Sequence, residues 1–431
     1  MATMVVFLRF PNNFTAPNFY GEDGSIYVVN IFELGFIKAL ITAFNGYFIT
    51  GLYLLTGFGF LLNMVFFQSN FADLPRSISI VSYLFIGFSL TLPVLLFRKQ
   101  LTKYWAVVLV LLSAFVPLRQ SDYAILGTIG NLKWLFFYIA FLLIIYRIIN
   151  YKKKWNQLAI VDLSILVCAY TNSTTYLLIP IAFAPYIIDY IKALKGPTVS
   201  KSFQASSFWS LCAVAILLLP QLIYVRIHGI PKIPGYLDTP FDASRAIEIF
   251  IGRSFEYGFT YGAYHPFTDF MAITVVAVAT TCLYLFYNKK YRPILLIGIY
   301  AVVCATLLFV VNRPGISDFF YGYKSGGPDQ FFYVQNLIVY FLVVAAFFTK
   351  NITKMTKWLL ASLLTVFIIA NYPLSSSLGR NDTMQKTRGD IYTNLKEQCQ
   401  KPAQDFTLSI YPSKDWEIST NKAQACKGVE Q

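Results

Sequence analysis

The chain has 431 residues, 56% hydrophobic and only 13% charged, with mean hydropathy +0.56. A soluble domain carries about 25% charged residues, so a water-soluble fold is excluded. The apolar runs are continuous rather than alternating, which excludes a β-barrel, and the net charge of +14 reads as membrane topology rather than as a nucleic-acid surface.

In chain order, Met1 to Phe10 is too short to span and reads as the end of a first helix. An outer loop at 11–30 carries the adjacent acids Glu22 and Asp23, bracketed by Gly21 and Gly24. Two carboxylates together are costly near hydrocarbon, so they are either solvated loop acids or reactive groups at the membrane–water boundary. Spans are predicted near 48–67, 77–97, 104–118, 131–149, 156–171, 174–191, 206–227, 269–287, 292–312, 331–349 and 354–372. About 20 apolar residues suffice to cross hydrocarbon as a helix. The expected fold is therefore an all-α polytopic membrane body over 1–372 with 11–12 transmembrane helices, followed by a small α/β appendage over 373–431.

Five connections hold sixteen cations and no acid: Arg98, Lys99 and Lys103; Arg147 and Lys152 to Lys154; Lys192, Lys195 and Lys201; Lys289, Lys290 and Arg292; Lys350, Lys354 and Lys357. The positive-inside rule places this set in the cytoplasm, and loops 118–130, 228–268 and 313–330 with the C-terminal tail outside. Helix parity puts Glu22 and Asp23 outside only if 25–45 crosses or dips into the membrane. That segment, with just Glu33 and Lys38 as charges, could be a span or a helix lying along the interface.

Cys168, Cys212, Cys282 and Cys304 fall in spans and read as small core residues. Cys399 and Cys426 fall in the tail. If that tail lies outside a bacterial inner membrane, its compartment is oxidising and a Cys399–Cys426 disulfide is expected. Phe406 to Tyr411 alternates as a strand does.

The outer loops carry the candidate chemistry. Arg119 and Asp122 could contact a polar substrate or pair with each other. In the longest connection, Arg253, Glu256 and His265 lie among aromatics and glycines, which suit a sugar or isoprenoid and equally a membrane-interface belt. Arg313 and Lys324 are scarce outward cations. They suit a lipid-linked phosphate, an outer-leaflet head group or an ion pair with Asp318. Trp416 could stack on a sugar or form the tail's own core. No P-loop, HExxH or GxSxG occurs, and the cytoplasmic connections are short and basic, which disfavours a nucleotide donor. A reaction needing only a general base and a phosphate clamp remains: sugar transfer from a polyprenyl phosphate. Glu22 or Asp23 would be the base, with Asp23 preferred because Gly24 leaves it room and Glu33 weaker. A divalent metal could sit beside the paired carboxylates, although no complete ligand set is visible.

Phe19-Tyr-Gly-Glu-Asp-Gly24, followed by Asn45-Gly-Tyr47, resembles the first outer loop of bacterial C-superfamily (GT-C) integral-membrane glycosyltransferases. The approach to Asn131 and Trp134, the stretch Gly327-Pro-Asp-Gln-Phe-Phe-Tyr333 and the closing Pro412-Ser-Lys-Asp-Trp416 are similar in order. The chain departs from that pattern at Gln330 and Phe331, where the family often has Arg-Tyr, which moves the expected phosphate contact to Arg313 and Lys324. Size, basic loops and tail also resemble phage-type O-antigen glucosyltransferases. The resemblance implies an inner-membrane enzyme moving a sugar such as glucose from a polyprenyl-phosphate donor to a periplasmic glycan such as O-antigen, with one acid of the pair as base. The rival classes are a flippase or transporter of lipid-linked sugar, which needs ionisable groups along a buried pathway, and a non-catalytic membrane protein, whose polar loops need not converge.

Overall fold

The structure is a computed structural model and describes residues 1–44, 46–118, 122–194, 206–228, 250–260, 292–312, 329–346, 358, 362, 391–401, 405–410 and 416–426. The described chain is mostly helical, with two small two-stranded sheets. Four helical stretches, Phe71–Leu96, Gly130–Ile149, Ser173–Leu194 and Ser206–His228, are long and apolar enough to cross a membrane.

The N-terminal region holds α1 (Ala2–Arg9), α2 (Asn12–Thr15), a π-helical turn at Asp23–Val28, α3 (Val29–Leu34) and α4 (Phe36–Leu40). It continues through a minimal hairpin, β1 (Ala43–Phe44) and β2 (Tyr47–Phe48), into α5 (Thr50–Phe66). The long elements of the first half follow: α6 (Leu74–Leu96), α7 (Lys103–Ala114), the short α8 (Asp122–Ile125), α9 (Lys133–Ile149) and α10 (Trp155–Ala169). Then come α11 (Ile179–Ala182), α12 (Ala184–Leu194), α13 (Ser206–Leu217) and α14 (Leu219–His228). Later helices are Arg292–Asn312, Asp329–Ala346 and, in the appendage, Ile391–Gln400.

Local chemistry sets several of these boundaries. The Thr102 hydroxyl accepts the Trp105 N–H to start α7, and the Asn172 side chain accepts the Thr174 N–H where α10 gives way to a 3-10 turn. Pro75 sits in the first turn of α6, where no intrahelical N–H is lost. Helix α9 is apolar around its whole circumference and is the central post, with Phe136 to Ile145 all buried.

The segment 25–45 does not cross as one helix. Gly35, at φ +77°, breaks it: the π-helical turn and α3 form one run, Asp23–Leu34, about 18 Å long, and α4 has five residues, both shorter than the ~30 Å of hydrocarbon. Leu34, Phe36, Ile37 and Ile41 are exposed apolar groups, as an interfacial segment requires. At the span expected at 48–67, the Thr50 N–H at the start of α5 donates to the Tyr170 carbonyl just beyond α10, the Asn63 side chain near its end donates to the Asn70 carbonyl just before α6, and α5 packs along the first turns of α6, where a Cβ on Gly59 would lie 2.9 Å from Ile78. Helix α5 exposes Phe58, Met64, Val65 and Phe66. Direct bonds hold the early residues at the end that contains 122–130: Asn13 donates to the Leu126 carbonyl at 2.6 Å, and Asp23 accepts from Ile129 and Gly130.

Arg147 is not a loop cation. It is fully buried in α9, with Nε donating to Asp162 Oδ1 at 2.9 Å and Nη1 donating to the Tyr186 hydroxyl at 2.8 Å. It also donates to the Ser207 carbonyl, while Ser210 Oγ donates to Asp162 Oδ2 at 2.7 Å. This network joins α9, α10, α12 and α13.

In the appendage, β3 (Asp405–Ser409) pairs antiparallel with β4 (Glu417–Asn421), from Asp405↔Asn421 to Ser409↔Glu417. Phe406, Leu408 and Ile410 alternate inward with Ile418 from the partner strand. A disulfide joins Cys399 to Cys426 across 27 residues. The predicted spans 269–287 and 354–372 lie outside the described residues, apart from residues 358 and 362.

Candidate functional site

The acid pair sits where four pieces of chain meet: its own π-helical turn, the 129–134 corner that opens α9, the start of α5 and the appendage. Asp23 begins the turn and is 2% exposed. Its Oδ2 accepts the Ile129 N–H at 2.9 Å and its Oδ1 accepts the Gly130 N–H at 2.7 Å. These donors head the 3-10 turn that leads into α9, an N-terminal end that attracts a carboxylate. Burial nevertheless pushes the Asp23 carboxyl up to about 7; the two N–H bonds oppose the rise and the Glu22 charge adds to it.

Glu22 is different. It is partly exposed, and its Oε2 accepts the Tyr27 hydroxyl at 3.2 Å and lies 3.8 Å from Lys133 Nζ. Burial, with the two nearby carboxylates, raises the Tyr27 phenol, so Tyr27 remains a neutral donor. The corner is tight: a Cβ on Gly130 would lie 3.1 Å from Glu22 Oε2 and 3.2 Å from Asp23 Oδ1. Tyr27 packs edge-on against Tyr53 of α5, whose hydroxyl accepts from Asn30 at 2.6 Å.

The room expected at Gly24 is filled. A Cβ there would meet Ile410 at 2.7 Å, Ile418 at 2.8 Å and Phe19 at 2.9 Å. The appendage thus seats its apolar face directly on the acid turn. Tyr392 donates to Asp73, itself paired with Arg76, at the head of α6. Phe406 packs against Phe71, which packs against Phe19. Trp416 is partly buried against the same apolar core, and its carbonyl accepts the Ile410 N–H at 2.8 Å.

A line of contacts runs from the acids toward the later helices. Lys133 Nζ is 5.7 Å from the Trp134 ring, and Trp134 packs against Phe331 at 6.4 Å. The next residue, Phe332, lies 5.9 Å from the Arg253 guanidinium. Arg253 is 1% exposed and also covers the Tyr257 ring at 4.8 Å. Arg253 therefore belongs to an aromatic wall that reaches the acids through Lys133 and Trp134, not to an open loop. Glu33 is exposed on α3.

Arg119, His265, Arg313 and Lys324 lie outside the described residues. Asp122 opens α8 and Glu256 closes the π-helical turn Gly252–Glu256, with both side chains outside the described set. Among the described residues no group of three His, Cys, Asp or Glu gathers to hold a metal ion. Sequence reasoning missed Lys133 as the partner of Glu22 and the Ile129 and Gly130 amides as the partners of Asp23. A lysine opening a span at the end opposite the basic connections was the available signal.

Comparison with family models, curated proteins and solved structures gives no match for this chain.

Proposed function

We propose that this chain is an integral-membrane glycosyltransferase of the GT-C kind, moving a sugar from a polyprenyl-phosphate donor to a glycan acceptor. The observation that carries the reading is the paired-acid corner. A partly exposed carboxylate, Glu22, has a cation 3.8 Å away and stands on a second, buried carboxylate that is bonded to two amides. Sugar transfer from an already activated phosphate needs a base at the acceptor hydroxyl and positive charge at the leaving group.

Glu22 is the base in this proposal. Asp23 has the pKa better matched to neutral pH, but both its oxygens are held by amides and it is shielded from solvent. Reach decides, because a base must come within hydrogen-bond distance of the proton it takes. Asp23 positions Glu22 and, near pH 7, spends part of its time protonated, which spares the corner two full negative charges. Lys133, with Arg313 and Lys324 from the later loop, would face the phosphate, and Arg253 would back the aromatic wall against Tyr257 and Phe332; Arg119, Asp122, Glu256 and His265 would supply further polar contacts.

The basic connections support a cytoplasmic location for the opposite end, even with Arg147 removed from the set. On this reading the acid corner and the appendage face the periplasm of an inner membrane, where O-antigen is an available acceptor. The pair Arg147–Asp162 is fully bonded and buried, so it offers no ionisable pathway to a flippase.

The test is mass analysis of surface glycan from cells expressing the chain or its variants. Wild type is expected to add one hexose, and Glu22→Gln to lose the addition by at least about 100-fold. Full modification by a well-expressed Glu22→Gln protein would remove Glu22 as base. Unmodified glycan with the wild type would remove the transfer reading for that acceptor.

A further inference from the structure

At the end of the bundle opposite the acid corner, the turn between α6 and α7 and the C-terminus of α9 line an open cavity of about 320 Å³. This is roughly ten times the ~30 Å³ share of one water molecule. Its polar lining is cationic or neutral: Arg98, Lys99, Gln100, Tyr146, Asn150 and Lys153, with no carboxylate. Among the described residues no acid pairs with Arg98, Lys99 or Lys153. Lys153 is held over the cavity, its Nζ donating to the Tyr146 hydroxyl at 3.4 Å, and Asn150 is fixed by donating to the Tyr146 carbonyl at 2.8 Å. On the lipid side the cavity is edged by Leu95 and Ile149, both about half exposed.

We infer that this cavity binds an anionic phosphodiester, and that its source is the head group of an anionic lipid. Three cations without a counter-charge in a concave site favour a phosphate, and basic pockets between membrane helices hold acidic head groups in this way. The apolar edge at Leu95 and Ile149 gives the acyl chains a path that a free phosphate would not use. The site is separate from the acid corner and assigns α6, α7 and α9 a lipid ligand at their basic ends.

The experiment is native mass spectrometry of the full chain in neutral detergent, titrated separately with phosphatidylglycerol, phosphatidylcholine and inorganic phosphate. Phosphatidylglycerol is expected to bind at least tenfold more tightly than phosphatidylcholine. The triple variant Arg98→Gln, Lys99→Gln, Lys153→Gln is expected to lose on the order of 100-fold in affinity for it, and Lys153→Gln alone about fivefold. A control that loses the same charge outside the cavity, Lys103→Gln, Lys154→Gln, Lys192→Gln, is expected to bind as wild type does. Equal binding of the two lipids, or equal losses in the cavity and control variants, would overturn the site. If millimolar inorganic phosphate displaced the lipid in wild type and bound no longer in the triple variant, the lipid source would be overturned in favour of free phosphate.

Discussion

Replacing Asp23 with Asn tests the central electrostatic argument through stability rather than activity. Burial pushes the folded carboxyl from 3.8 up to about 7. Between those values the folded chain keeps a proton that the unfolded chain has released. Stability contributed by this group is therefore full below about pH 4, falls as pH rises through the window, and is flat above about 7. Three pKa units correspond to about 4 kcal/mol. Asparagine does not titrate. It keeps one acceptor for Ile129 or Gly130 but turns its NH2 toward the other amide, at a pH-independent cost of about 1–3 kcal/mol. The variant should thus be less stable than wild type near pH 4.5 and more stable by about 1–3 kcal/mol near pH 8, so the two curves cross. Thermal unfolding of the detergent-purified chain, followed by tryptophan fluorescence across this range, reads the difference. Other carboxylates titrate in both proteins and cancel. A constant offset of one sign from pH 4.5 to 8 would refute the reasoning, because it would mean that Asp23 does not change protonation in the folded state near neutrality.

Gly130→Ala places a methyl 3.1 Å from Glu22 Oε2 and 3.2 Å from Asp23 Oδ1, so it should displace the pair and cut glycan modification by roughly tenfold while the chain still folds; unchanged modification would argue against a role for the corner's geometry. Arg147→Met should cost about 3–5 kcal/mol by stranding Asp162 in the core, and the double variant Arg147→Met, Asp162→Leu should recover most of the loss in thermal unfolding. Cys399→Ser opens a loop closed across 27 residues, worth about 3.5 kcal/mol in a chain-entropy model. Limited proteolysis should then release the appendage while the helical bundle survives.

The membrane class was legible because it rests on bulk properties: long apolar runs and basic connections survive any error in boundaries. The fate of 25–45 was less legible: its composition suits a span or an interfacial helix, and the break at Gly35, φ +77°, between α3 and α4 shows only in the backbone. Arg147 looked like part of a basic loop because Lys152 to Lys154 follow it closely; its buried partner Asp162 lies in a different helix, beyond local pattern. The acid pair was conspicuous as a charge anomaly. The division of labour within it was not, since that depends on the Ile129 and Gly130 amides more than 100 residues away and on Ile410 and Ile418 filling the space at Gly24.

The end of the bundle at which the pair lies bears directly on whether it can serve the proposed reaction. Asp23 is bonded to the 129–134 corner that opens α9, while Arg98 and Lys153 flank the other end of that helix, and α3, α5 and the appendage gather around the acids. The polar groups proposed for transfer chemistry and the cavity cations, which have no acid partner among the described residues, therefore occupy opposite ends of one bundle. Such segregation follows from the energetics of the bilayer: a charge is tolerated at either water boundary but not between them. Arg147 and Asp162 are admitted to the interior only because every charged edge of that pair meets a bonded partner.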